Sequence, residues 1–163
     1  MKTRGWAFFI AAAGLVLALH VIQYNQSRGA RFTVDILQQY ISAWERVTDR
    51  QVLSWDDIPD FDIISPGDSL RVRSADLKRN AFRRGGYVYD MRFEGESRYV
   101  ISASPMGLLS PRIEYGITEQ GILKENTRDV DPLPDSRGEV SSWKAIERIE
   151  NARTRDLPEY LRD

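Results

Sequence analysis

The amino-acid sequence predicts an α+β protein: an N-terminal transmembrane helix, then a domain in which a helix packs on an antiparallel meander of three to four strands, completed by a C-terminal helix. Three observations carry this expectation. An uncharged apolar run extends from Trp6 to Ile22; Val34, Leu37, Ile41 and Trp44 recur at three- and four-residue steps; and from Gly86 onward apolar and polar residues alternate. The chain divides accordingly into a basic leader over 1–5, a membrane helix over 6–24, a linker over 25–32 and one domain over 33–163.

The apolar run comes first. Its 17 residues cover about 25 Å as a helix, against a hydrocarbon core of about 30 Å, and Gln23 and Tyr24 add interfacial length. Lys2, Arg4 and the amino terminus place this end in the cytoplasm and the domain outside, although Arg28 and Arg31 on the far side reduce the asymmetry. The stretch "ALHVIQYNQS" offers no convincing small-x-small cleavage site, so an uncleaved anchor is favoured over a secretory signal. His20 lies near the end of the run, where its imidazole reaches toward the polar interface.

The linker contains Gly29, a residue that bends or breaks helices, so continuity between the two helices stays open at this level. Thr33 is read as an N-cap with Asp35 in the first turn of a second helix, whose stripe Val34, Leu37, Ile41 and Trp44 forms one buried face. Residues 54–86 are turn-rich, punctuated by Pro59, Pro66 and Gly67, with Ser74 capping a short helix from Ala75 to about Phe82. Asp56, Asp57, Asp60 and Asp62 cluster there without a spacing that closes a metal loop and are read as solvated turn residues.

Strands follow. "YVYDMRF" puts Tyr87, Tyr89, Met91 and Phe93 on one side, "EGES" turns, and "RYVISAS" shares Tyr99, Ile101 and Ala103 on a face. "PRIEYGIT" continues with Ile113, Tyr115 and Ile117, then "TEQG" turns into "ILKE". Short strands joined by short turns indicate antiparallel pairing, and the apolar face needs the Val34–Trp44 stripe as its cover. In the tail, "SSWKAIERIENARTR" is expected as a helix capped by Ser142 with Trp143, Ile146 and Ile149 on one side.

Composition narrows the function classes. There is no cysteine, which excludes disulfides, thiolate metal sites and thiol nucleophiles. With His20 the only histidine, the soluble part holds neither a Ser-His-Asp triad nor a histidine-rich metal site. Lys2 and Arg4 precede the apolar run, leaving 21 basic against 24 acidic residues after it, so no general affinity for nucleic acid is expected. The basic stretch "KRNAFRR", Lys78 to Arg84, is read as a solvated face.

The leader resembles that of type IV pilin-like proteins and type II secretion pseudopilins: a basic tip ending at Gly5, an aromatic residue, then a long apolar helix. Trp6 stands where the family usually has phenylalanine, and Ile10 where it has glutamate at the fifth mature position. The sheet region is similar to that of major-pseudopilin relatives at Gly86, Tyr87, Tyr89, Tyr99, Ile101, Ala103, Pro105, Tyr115, Gly121 and Ile122. These positions also have packing explanations, so they mark a fold and not an active site.

The resemblance implies processing between Gly5 and Trp6, inner-membrane localisation with a periplasmic domain, and partners among other pilin-like or secretion-system subunits. It implies neither an enzyme nor a small-molecule substrate. No cofactor is expected, save that relatives can bind calcium in the loop before a similarly placed tryptophan; Asp129, Asp131, Asp135 and Glu139 supply hard oxygen donors there, or are simply solvated. The alternative is a single-pass anchored extracytoplasmic binding domain that uses a pilin-like fold without forming fibres. A hydrolase using paired carboxylates is a third class, for which the sequence shows no convergent pair.

Overall fold

The computed structural model describes residues 3–53, 55–65, 68–72, 82–94, 97–107, 110–127, 140 and 143–149. Helix α1 runs unbroken from Thr3 to Thr48, 46 residues. The linker expected over 25–32 is therefore helical. The stripe of the second helix extends back from Val34 through Ala30 to Ser27 at the same spacing, and tertiary contacts made by these residues outweigh the roughly 1 kcal/mol that Gly29 costs. Thr33 is accordingly not an N-cap. It sits buried in mid-helix, its hydroxyl donating to the Gly29 carbonyl at 2.8 Å.

After α1, a 3₁₀ turn spans Trp55–Asp57. It is tied back by Leu53 N donating to Asp57 at 2.9 Å, while Val52 N donates to Glu45 at 2.7 Å. The region expected to be irregular then contains a hairpin, β1 (Phe61–Ser65) with β2 (Asp68–Val72), in register from Phe61↔Val72 to Ser65↔Asp68. The short helix expected from Ala75 falls outside the described residues, except that Phe82 is buried and non-helical.

Six strands form the main sheet: β3 (Arg83–Arg84), β4 (Tyr87–Glu94), β5 (Ser97–Pro105), β6 (Ile113–Thr118), β7 (Ile122–Thr127) and β8 (Lys144–Arg148). They pair in sequence order and are antiparallel throughout, so the meander is real but longer than the three to four strands expected. The fold is thus α+β with a single N-terminal helix. Tyr87, Tyr89, Tyr99, Ile101, Ala103 and Ile117 face α1 as the alternation requires and join Val34, Leu37 and Ile41 in one core. Trp44 and Met91 pack at its margin. The β6–β7 turn closes at Gly121, whose φ of 75° suits glycine alone and whose N–H donates to Thr118 O at 2.9 Å.

Over 143–149 the expected C-terminal helix is corrected to the edge strand β8; 150–155 lie outside the described residues. Its side chains follow strand geometry through a bulge: Leu123 pairs with Glu147 but Lys124 with Ala145, leaving Ile146 as the extra residue. That extra residue reverses the parity of the strand. Trp143 consequently packs with Val100 and Val140 on the far side of the sheet, whereas Ile149 packs against the helix-side core. Three apolar residues at three-residue spacing read as one helical face; the bulge distributes them over two faces of a sheet.

Candidate functional site

The sheet leaves the first half of α1 bare. Phe9, Ile10, Leu15, Val16, Leu17 and Val21 are all exposed, and the apolar window that includes them has none of its residues buried against the rest of the chain. A run of large apolar side chains left in water would be unfavourable by about 25 cal/mol for each Å² of exposed apolar surface. Length and composition make this segment a candidate membrane span. Within it, His20 Nδ1 lies 3.1 Å from the Val16 carbonyl and donates to it, a local bond within the helix. The expected processing residues Gly5 and Trp6 lie in the opening turns of α1, which begins at Thr3.

Where the exposed half ends, polar side chains key the helix to the sheet. Ser27 Oγ lies 2.5 Å from Tyr115 OH, and Gln26 lies so close over Gly86 that a Cβ there would meet its Nε2 at 3.0 Å. Arg31 pairs with Glu147 on β8. Two turns further, Gln38 Nε2 donates to Ser42 Oγ at 2.9 Å and to the Glu119 carbonyl at 3.0 Å. The direction of α1 relative to the sheet is thereby held at both ends of the contact. Gln26, Ser27 and Arg31 were hidden by the assumed linker; their signal was the backward extension of the helical spacing from Val34.

The far face of the sheet is covered as well. Val140 and Trp143 press on Gly116, where an added Cβ would lie 2.5 Å from Val140 Cγ1. Glu114, buried on that face, accepts from Asn126 Nδ2 at 3.3 Å. Asp57 of the acid cluster serves the backbone of Leu53, as a turn residue does. Among the described residues no group of three or more acids or histidines is placed to hold a metal. The calcium candidates Asp129, Asp131, Asp135 and Glu139, and the cap Ser142, lie outside the described residues.

What the arrangement offers is mechanical. One continuous helix is apolar and exposed over its first half and packed on a sheet over its second. Comparison with protein-family models, curated proteins and solved structures found no match.

Proposed function

We propose that the chain is a structural, non-catalytic subunit of a pilin-like or type II secretion pseudopilus assembly, anchored in the inner membrane with its N-terminus cytoplasmic and its sheet domain periplasmic. The observation that carries this reading is the continuity of α1 from an exposed apolar half into a half clamped by the sheet. A rigid rod of this kind lets lateral packing in the membrane set the position of the domain outside it. Association would be driven by van der Waals packing of the apolar halves, with Ala11, Ala12, Ala13 and Gly14 allowing close approach.

One observation favours a second reading, an anchored extracytoplasmic binding domain that does not polymerise. Ile10 is 69% exposed at the position where the family resemblance calls for a glutamate, and no carboxylate lies between Trp6 and Ile22. Without that charge, pairing with a neighbour's amino terminus inside a bundle has no acidic partner in the span.

Both readings meet one experiment. The cysteine-free chain allows single cysteines at Ala12 and Leu15, crosslinked in native membranes, together with the N-terminal mass of the isolated protein. Crosslinked multimers starting at Trp6 are the expected outcome for an assembly subunit. A strictly monomeric protein with Met1 intact would point to the anchored domain instead.

A further inference from the structure

We infer that the rim of the domain nearest the span is a docking surface for anionic lipid headgroups, in which Arg28, Arg83 and Arg112 engage phosphates of the leaflet from which α1 emerges. This inference rests on the reading of α1 as a membrane span. Because the helix is unbroken, the height of the rim above the hydrocarbon can be counted in residues. Gln26 lies four residues beyond Ile22, about 6 Å along the axis. The headgroup layer on each side of the hydrocarbon is about 5–7 Å deep, so Gln26 stands within or at the edge of it.

Gln26 carries the rim down with it. It contacts Gly86, and Met106 N donates to Gly86 O at 2.9 Å, which sets the start of the β5–β6 connection level with Gln26. Strand β5 runs toward the span and β6 leaves it again, so Met106 and Arg112 sit at the two ends of the span-side connection. The short edge strand β3 places Arg83 opposite Val88, two residues along β4 from Gly86. Arg28 is exposed on α1 between the span and the Arg31 contact, and Arg83 and Arg112 are exposed as well.

Charge and apolar exposure agree with this placement. Among the described residues, three carboxylates toward this end are paired: Glu114 with Asn126, Glu125 with Lys144, and Glu147 with Arg31. Met106, 46% exposed, offers an apolar side chain where a headgroup layer meets acyl chains. Guanidinium groups bind phosphate through paired donors, and a basic residue near an anionic surface favours binding by about 1 kcal/mol. The basic stretch ending at Arg84, read from sequence as a solvated face, thus acquires a partner of definite chemistry at its Arg83 end.

The test uses full-length protein in vesicles of phosphatidylcholine alone and of phosphatidylcholine with phosphatidylglycerol in equal parts. Fluorophores are attached singly to Met106→Cys and Leu15→Cys, and quenching is read with nitroxides on the headgroup or deep in the acyl chain. Leu15→Cys is expected to be quenched from the acyl chain in both lipids. Met106→Cys is expected to be quenched from the headgroup chiefly in the anionic vesicles. The ratio of docked to lifted domain should fall about five-fold for each of Arg28→Gln, Arg83→Gln and Arg112→Gln. Equal Met106→Cys quenching in both lipids, none in either, or indifference to the three substitutions overturns the docking surface while leaving the span intact. Failure of acyl-chain quenching at Leu15→Cys overturns the span itself, and the docking surface with it.

Discussion

Gly116 shows how a single position constrains the far face of this sheet. Its missing side chain admits Val140 and Trp143, and Gly116→Ala would put a methyl group 2.5 Å from Val140 Cγ1. Overpacking of this kind typically costs about 1–3 kcal/mol. Val140→Ala removes the colliding methyls, so the double variant is expected to be more stable than the sum of the two single changes implies. A double-mutant cycle of melting free energies measures that coupling. Additive costs would show that the cover of the far face does not bear on Gly116. Tyr87 offers a pH-dependent counterpart. Burial chiefly, then the neighbouring Tyr115 and Tyr89, hold its hydroxyl protonated well above the ordinary phenol range, and it donates to Ile113 O at 2.9 Å. An unfolded tyrosine ionises near pH 10, roughly, while the native one does not, so the unfolded state binds fewer protons and stability falls as pH rises beyond that point. Below it the contribution is fully present. Tyr87→Phe is expected to cost about 1 kcal/mol at neutral pH and to lessen the alkaline loss, as read from denaturant midpoints across that range.

At the scale of elements, the sequence left the continuity of α1 open and read β8 as helix, each for an identifiable reason. Gly29 suggested a boundary, yet it lies within continuous helix with nothing within 4 Å of where a Cβ would stand. Gly29→Ala should therefore stabilise the protein by about 1 kcal/mol, and Gly29→Pro should destabilise it by about 3 kcal/mol or more. A melting midpoint lowered by Gly29→Ala would show that the native backbone needs glycine there. For β8, "KAIER" has adequate helix propensity, but pairing with the open edge of β7 satisfies its backbone and buries Trp143 and Ile149 on opposite faces. A pattern of three apolar residues is shared by a helix and a bulged strand. Periodicity alone does not separate them.

The whole molecule divides into an exposed apolar segment and a core that share one helix. The buried apolar cluster begins at Ala30, and the apolar residues before Ile22 contribute nothing to it among the described residues. Removing residues 1–24 is therefore expected to yield a soluble fragment with a cooperative melt and the near-ultraviolet signature of its buried tyrosines. An aggregated or molten fragment would show that the first half of α1 supports the core after all. The same division explains why the apolar segment is legible in the sequence. A span is recognised by composition along a single segment, and so was the Val34–Trp44 face, because each is a local repeat.

The sequence by itself determined the apolar N-terminal segment, the helical stripe and the alternation that sends Tyr87, Tyr89, Tyr99 and Ile101 to one side of a sheet. All of these follow from side-chain direction along a regular backbone, which needs no knowledge of neighbours. Only the tertiary structure decided that the two helices are one, that β8 is a strand, and that a second layer presses on Gly116 from behind. Those outcomes depend on which distant backbone groups and surfaces meet: Ser27 with Tyr115, Gln38 with Glu119, Trp143 with Val100. Such meetings compete with local propensity and here outweigh it, because a buried contact or a completed strand pairing is worth more than the kilocalorie by which a glycine or a helix-forming segment prefers otherwise.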